Sequence, residues 1–171
     1  MEALLIGGRS GSGKSVVGWE VSAQLRADGV AHAILEGDFM GQVHPAPDGD
    51  PDRLALVERN LTAVWANFAA LGYRRLIYTN TLSVMPEMTP LFLRALGADA
   101  RLIRVLLLAS DTTARRRLIS RERGSELDDG LKASVARARV LGDADAARIE
   151  TDGRSVIDIA REIVTLTGWC G

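Results

Sequence analysis

The chain has 171 residues, of which 47% are hydrophobic, and this length fits one ordinary globular domain with a substantial core. Its 21 basic and 22 acidic residues give a formal net charge of −1, which excludes a general electrostatic attraction to nucleic acid or anionic lipid. The only cysteine is Cys170, so an internal disulfide is excluded, and no apolar run approaches the length of a membrane span.

Short apolar strands alternate with helices along the whole chain. The first strand, at residues 3–6, ends in Gly7-Gly8, and the helix at residues 14–26 repeats apolar residues at fourfold spacing. Residues 41–51 contain three prolines and two glycines, which predicts a loop. In chain order, the other predicted elements are a strand at 31–35, a helix at 51–71, a strand at 75–78, a short helix at 89–96, a strand at 102–108, a helix at 111–121, a polar segment at 124–130, a helix at 131–141, a strand at 148–150 and a helix at 155–166.

This alternation predicts a three-layer α/β/α domain, in which helices cover both faces of a five-stranded parallel sheet. The helix at 51–71 is expected to pack on the sheet through an apolar side that runs from Leu54 through Leu61 to Phe68. Ligands bind such sheets beyond the carboxyl ends of the strands. Four polar segments follow predicted strands and are expected to converge on one crevice: 8–15, 36–38, 79–80 and 110–111.

The strongest motif is Gly8-x4-Gly13-Lys14-Ser15, which lies between a predicted strand and a predicted helix. Glycines let such a loop curl so that its backbone N–H groups face phosphate oxygens, and the helix N-terminus adds partial positive charge. Lys14, expected on a solvent-facing loop, is predicted to reach the β- and γ-phosphates of Mg·ATP, and the Ser15 hydroxyl to bind Mg²⁺. A glycine-rich turn without a ligand is the alternative. The predicted nucleotide contacts are Gly8, Ser10, Gly11, Ser12, Gly13, Lys14 and Ser15.

The whole chain resembles the small P-loop kinases, and among them it is most similar to adenylylsulfate kinase. Glu36-Gly37-Asp38 matches the Asp-Gly-Asp element that follows the second strand of that family. The stretch from 59 to 78 is similar to the family's asparagine-containing helix and next strand. The resemblance implies a P-loop NTPase fold over a single domain, 1–171, with ATP and Mg²⁺ as cofactors.

The chain also departs from adenylylsulfate kinase at several positions. Phe39 follows the acidic element where the family has an arginine, and Val57 and Thr62 replace the arginines that flank its helix asparagine. Residues 78–83 replace a Phe-Ile-Ser-Pro segment. The resemblance therefore extends to a kinase scaffold and not to recognition of a sulfate nucleotide.

Arg117 and Arg121 resemble the arginine pair in the lid of nucleoside monophosphate kinases, and the lid is expected at approximately residues 117–132. The resemblance implies that Arg117 covers the adenine ring and that Arg121 contacts phosphate. A planar guanidinium suits both tasks, because it stacks on aromatic faces and donates two hydrogen bonds to phosphate oxygens. A solvated, charged helix end is the alternative interpretation.

The turn at 151–154, after the last predicted strand, resembles the adenine-side loop of the same kinases. This resemblance implies that Asp152 and Gly153 contact the nucleotide. An ordinary turn with a helix cap explains these residues equally well.

Asp38 is the predicted general base, or a carboxylate that organises Mg²⁺, because a kinase must orient an acceptor hydroxyl opposite the γ-phosphate. A cap or turn residue is the alternative for Asp38. Glu36 is expected either to bind a water on the metal or simply to end its strand. Asn80 stands where many P-loop proteins carry an acidic residue, so either the second carboxylate comes from 36–38 or turnover is weak. The predicted catalytic residues are thus Lys14, Asp38 and Arg121, and the predicted metal ligands are Ser15 and Asp38.

These features predict a phosphotransferase that moves the γ-phosphate of ATP to a hydroxyl of a small molecule. A nucleoside or nucleotide kinase and an antibiotic O-phosphotransferase are alternatives. A nucleotide-dependent regulatory protein with slow ATP hydrolysis is an alternative of another class. The arginine-rich lid favours a kinase, because excluding water protects the transfer, whereas Asn80 favours the regulator. We expect a cytoplasmic monomer or homodimer that binds neither nucleic acid nor a membrane.

Overall fold

The computed structural model describes residues 1–121 and 125–170, and the side chains of residues 121–129 lie outside this description. No helix in these two ranges is long and apolar enough to cross a membrane. In chain order the elements are β1 (Glu2–Gly7), α1 (Lys14–Ala27), β2 (Ala33–Glu36), α2 (Leu54–Ala70), β3 (Arg75–Thr79), α3 (Thr89–Leu96), β4 (Arg101–Leu108), α4 (Asp111–Arg121), α5 (Ser125–Val140), β5 (Ala147–Glu150) and α6 (Val156–Thr167).

The strands form one parallel sheet in the order β2-β3-β1-β4-β5, which puts β1 at its centre. Successive residues of β1 face opposite layers. Ala3 and Leu5 belong to the core that includes residues of α2 and α3, whereas Leu4 and Ile6 belong to the core shared with α1 and α6. The predicted α/β/α architecture with a five-stranded parallel sheet is therefore confirmed.

Helix α2 begins at Leu54, three residues later than expected, because the chain turns sharply just before it. Arg53 has a left-handed backbone conformation, with a φ of 58°. The carboxylate of Asp50 accepts hydrogen bonds from two N–H groups of the first helical turn, at 3.2 and 3.0 Å, and so caps the helix. Leu54 is 46% exposed, so the prediction that it is buried was wrong, whereas Leu61 in the middle of the helix is fully buried.

Helix α5 begins at Ser125, inside the polar segment that was expected to precede a helix at 131–141. A single glycine such as Gly130 costs a helix only about 1 kcal/mol, and acidic residues in the first turn favour a helix N-terminus. The prediction of a separate polar segment before the helix was therefore wrong from Ser125 onward. The region expected to form the lid comprises the end of α4, the start of α5 and residues 122–124, which lie outside the described ranges.

Candidate functional site

The loop between β1 and α1 adopts backbone conformations that favour glycine. Gly8, Gly11 and Gly13 have φ values of 147°, 86° and 100°. A β-carbon at Gly11 would lie 2.5 Å from the carbonyl oxygen of Ala114, so a side chain there would collide with α4. The Ser12 hydroxyl is buried and has no hydrogen-bond partner among the described residues. The loop thus has the curled form that the motif predicts.

Lys14 is the first residue of α1, and only 8% of it is exposed. Its Nζ donates a hydrogen bond to the carbonyl oxygen of Arg9 at 3.4 Å. The expectation of a lysine on a solvent-facing loop was wrong, because the side chain folds back across the loop. Its charge is therefore held close to the loop backbone, on the wall of a small cavity of about 70 Å³.

The Glu36 carboxylate lies next to the predicted metal ligand. The Ser15 hydroxyl donates to Glu36 Oε2 at 2.8 Å, and the indole N–H of Trp19 donates to Oε1 at 3.0 Å. Both carboxylate oxygens therefore have partners on the first turns of α1. Two roles were open for Glu36 from the sequence alone, and its hydrogen bond with Ser15 was not predicted.

Asp38 follows β2 in a short 3-10 turn, and Asn80 holds one of its oxygens. The side-chain amide of Asn80 donates to Asp38 Oδ1 at 2.8 Å, while its own Oδ1 accepts the N–H of Leu82 at 3.0 Å. The parallel register of β2 and β3, which pairs Glu36 with Thr79, brings these two side chains together. Asn80 thus orients the carboxylate instead of supplying one.

Asp38 borders two cavities. One is the small cavity at the phosphate loop, where Asp38 is joined by Ser10, Lys14 and Ser15. The other has a volume of about 530 Å³ and reaches from Ser10 and Asp38 to Asn80 and Asp52. The predicted metal ligands, Ser15 and Asp38, and the predicted catalytic Lys14 are therefore brought together at one point.

A third cavity, of about 350 Å³, also borders the loop. It shares Gly11 and Gly13 with the small cavity, and Arg117 of α4 lines its wall. The Arg117 guanidinium donates to the carbonyl oxygens of Gly11 and Ser12 at 3.3 and 3.2 Å, and to the Thr151 hydroxyl at 3.1 Å. Arg117 therefore joins the loop to the turn after β5, in the region where a role towards adenine was expected.

The turn after β5 reaches this cavity through residues other than those predicted. Thr151 and Arg154 line the cavity, whereas Asp152 and Gly153 are not among its lining residues. The Asp152 carboxylate instead accepts from the backbone N–H of Ser110 at 3.3 Å, and hydrogen bonding to Ser110 holds the pKa of Asp152 below its ordinary value. Arg121 ends α4, but its side chain lies outside the described residues, so its predicted role stays a prediction.

A cavity of about 420 Å³ adjoins the larger cavity at Asp38, with which it shares Asp52, Val57 and Asn80. We call it the side chamber. Burial raises the pKa of Tyr78, on its wall, far above the ordinary range, and the charge of Asp38 raises it further. The phenol is therefore a neutral group. The other residues that line the side chamber are Leu54, Leu82, Ser83, Met88, Phe92 and Arg137.

Arg9, a variable position of the loop motif, is 6% exposed and bridges two helices. Its guanidinium forms an ion pair with Asp111 at the start of α4, and its Nε donates to the Ser134 hydroxyl of α5 at 2.9 Å. Ser134 in turn donates to the carbonyl oxygen of Ser10 at 2.8 Å. These contacts of Arg9 were not predicted from the sequence, although an arginine within a folded loop generally needs a nearby acceptor.

No protein-family model and no curated protein sequence matches the chain. Solved structures do match it. A gluconokinase from Sinorhizobium meliloti 1021 aligns with a TM-score of 0.62 and 20% identity, over 98% of this chain and 91% of that protein. An APS kinase from Mycobacterium tuberculosis, in complex with AMPPNP and APS, aligns with a TM-score of 0.58 and 22% identity over 98% and 97%. A sugar kinase from Janibacter sp. HTCC2649 aligns with a TM-score of 0.64 and 17% identity over 98% and 95%.

The sequence identities are 17–22%, so the comparisons establish a shared fold over nearly the full length of both chains. The predicted resemblance to the small P-loop kinases is therefore confirmed at the level of structure. The chain has the α/β fold of the small P-loop kinases.

Proposed function

We propose that this protein is an ATP-dependent phosphotransferase that moves the γ-phosphate of ATP to a hydroxyl group of a small molecule. The position of Asp38, between the small cavity at Lys14 and Ser15 and a larger adjoining cavity, carries the proposal. A kinase needs a carboxylate at the boundary between bound phosphate and acceptor hydroxyl. Structurally similar proteins that are named gluconokinase and sugar kinase support a small acceptor.

The residues of the phosphate loop suit Mg·ATP. The glycine loop and the N-terminus of α1 offer backbone N–H groups. The Lys14 ammonium lies at the start of α1, and the Ser12 hydroxyl of the loop has no hydrogen-bond partner within the described ranges. Ser15, Glu36 and Asp38 provide the hard oxygen donors that Mg²⁺ prefers. When bound, Mg·ATP supplies the transferable phosphoryl group and a cationic charge beside its oxygens.

The chain's own residues would act by charge, orientation and proton transfer. Lys14 places a positive charge beside the phosphates, and Glu36 fixes the direction of the Ser15 hydroxyl. Asp38, oriented by Asn80, would accept the proton of the acceptor hydroxyl as the hydroxyl oxygen bonds to the γ-phosphorus, the bond from that phosphorus to the bridging oxygen breaks and ADP leaves. Arg117 lines the cavity that would receive the adenine ring, where a guanidinium can stack on the ring.

The Asp38→Asn variant tests this proposal, because it keeps the size and shape of the side chain but removes its charge. We expect acceptor-dependent ADP release to fall by at least about 10²-fold, the lower range for loss of base catalysis. ATP affinity is expected to change little, because the loop at 8–15 is unaltered. The measurement compares ADP release, with mass analysis of the phosphorylated product, against ATP affinity from the same preparation.

A nucleotide-dependent regulatory protein with slow ATP hydrolysis is the second candidate. It is favoured by Asn80, which stands where an acidic residue would be expected and hydrogen-bonds Asp38 instead. If no acceptor accelerates ADP release and Asp38→Asn leaves basal hydrolysis unchanged, the regulatory function replaces the kinase.

A further inference from the structure

The walls of the side chamber carry information about the molecule that binds there. Five apolar side chains face it, from α2, the segment after β3, and α3: Leu54, Val57, Leu82, Met88 and Phe92. The Tyr78 phenol contributes one more aromatic wall and packs edge-on against Phe92, with ring centroids 5.2 Å apart. One part of the chamber wall is therefore apolar and partly aromatic.

The charged groups on the described wall balance each other. Asp52 contributes one negative charge and Arg137 one positive charge. Tyr78 adds none, because a phenol is protonated at neutral pH and burial raises its pKa further. A chamber of this kind has no net electrostatic preference for an anion or a cation.

We infer that the side chamber takes a compact, neutral alcohol with an apolar body. This inference rests on the proposed function: the alcohol is the phosphoryl acceptor. Its hydroxyl points from the side chamber into the adjoining cavity, where Asp38 lies. The two cavities share Val57 and Asn80, so one small molecule can extend from the apolar wall to the carboxylate.

The wall also carries the polar side chains of Asp52, Asn80, Ser83 and Arg137, but a polyol or a sugar acid would still have to turn hydroxyls toward the five apolar side chains. Such molecules carry a hydroxyl on nearly every carbon, and hydroxyls turned toward these apolar side chains would lose their hydrogen bonds to water without replacement. Each buried, unpaired hydroxyl is expected to weaken binding about ten-fold. Discrimination between the two classes should therefore be large.

The experiment measures ADP release by the full chain with Mg·ATP and two pools of alcohols. The apolar pool contains 2-phenylethanol and cyclohexanemethanol, and the polar pool contains ribitol and gluconate. The Leu54→Asn variant alters the chamber wall. The Leu71→Asn variant is the control, because Leu71 directly follows the other end of α2 and 76% of its surface is exposed. Both leucines are exposed, so neither change threatens folding.

We expect the apolar pool to accelerate ADP release and the polar pool to have no effect. Leu54→Asn should raise the KM for 2-phenylethanol about ten-fold, because an amide replaces an apolar contact, and leave the KM for ATP unchanged. Leu71→Asn should change neither constant. Acceleration by the polar pool alone overturns the inference while the kinase function stands.

If neither pool accelerates ADP release although ATP binds, none of the four alcohols is an acceptor, the Asp38→Asn comparison decides the proposed function, and binding decides the inference separately. Saturation-transfer NMR then measures contact between the protein and 2-phenylethanol. Transfer that weakens in Leu54→Asn and persists in Leu71→Asn supports the chamber's preference. No transfer, or equal transfer in all three proteins, overturns it.

Discussion

Glu36 and Asp38 are two residues apart, yet their carboxylates have different partners and different expected roles. Glu36 accepts from Ser15 and Trp19 of α1, whereas Asp38 accepts from Asn80 after β3. The first arrangement orients a hydroxyl beside the phosphate loop, and the second orients the proposed base, which lines the adjoining cavity. Substitution of each carboxylate should therefore change a different measurable quantity.

The Glu36→Gln variant should weaken the use of Mg²⁺ more than the transfer step. An amide presents one acceptor and one donor, so it cannot accept from both Ser15 and Trp19 as the carboxylate does. We expect the Mg²⁺ concentration for half-maximal ADP release to rise about ten-fold, because the variant loses one charge-assisted hydrogen bond. Asp38→Asn is the comparison, with a larger fall in turnover. A pure loss of turnover in Glu36→Gln would contradict this division of roles.

Lys14→Met should abolish stabilisation by Mg·ATP while preserving the unliganded fold. Lys14 is largely buried, so its aliphatic stem contributes packing and its ammonium group contributes charge. Methionine is the suitable substitution because it keeps an unbranched apolar side chain and removes only the charge. A nucleotide at about 100 times its dissociation constant adds roughly 2.7 kcal/mol to the free energy of unfolding of a binding-competent protein. Thermal unfolding with and without Mg·ATP measures the difference. Equal stabilisation of the variant and the original protein would exclude the phosphate-loop assignment.

At the scale of elements, α4 and α5 both hold the phosphate loop. Asp111 of α4 pairs with Arg9, and Ser134 of α5 accepts from Arg9 and donates to the Ser10 carbonyl. Arg117 adds contacts from α4 to the carbonyls of Gly11 and Ser12. The backbone that would face the phosphates is thus positioned from behind by two helices of the expected lid region.

Ser134→Ala should therefore lower ATP affinity, even though Ser134 does not line the nucleotide cavity. Loss of its hydrogen bonds to Arg9 and Ser10 is expected to weaken binding about five-fold, which corresponds to roughly 1 kcal/mol. Thr165→Ala is the matched control, because its hydroxyl donates only within α6, to the carbonyl of Arg161. Isothermal titration of both variants makes the comparison. Equal affinities would reduce Ser134 to an ordinary packing residue.

The sequence predicted those features that local patterns determine. The strand, glycine loop and helix from residue 2 to 27 follow from one motif and its apolar spacing, and the structure agrees with them. The start of α2 was missed because the cap comes from Asp50, four residues before the helix. Contacts between distant residues had no local signal: Arg9 and Ser134 are 125 positions apart, and Asp38 and Asn80 are 42 apart.

Over the whole molecule, several carboxylates favour their charged form in the folded state. Hydrogen bonding to Arg94 lowers the pKa of Glu58, bonding to Ser110 lowers that of Asp152, and bonding to Ser155 lowers that of Asp158. A group whose folded pKa is depressed contributes stability above its unfolded pKa and loses it as pH falls through the folded value. Acid should therefore destabilise the fold.

We expect the urea midpoint of unfolding to fall as the pH drops below about 4.5, where these carboxylates begin to take up protons. The effect should be modest, because Asp152 and Asp158 are exposed and Glu58 is half-buried, so solvent screens these charges. Asp158→Asn should reduce the slope of the midpoint against pH, since its amide does not titrate. A midpoint that is constant or rises down to about pH 3 would contradict the assigned pKa directions.

The cavities at the phosphate loop lie in a row and share their walls: Gly11 and Gly13 belong to the first and second, and Ser10 and Asp38 to the second and third. On the proposed function, one tethered ligand would extend along these cavities into the adjoining side chamber, with an adenosine group beside Arg117 and an apolar alcohol in the side chamber, joined by a short anionic spacer. The second group would then bind at the high effective concentration that the first imposes, a gain of about 10²- to 10⁴-fold in avidity. Such a bisubstrate compound would also be selective, because it needs both the loop at 8–15 and the side chamber.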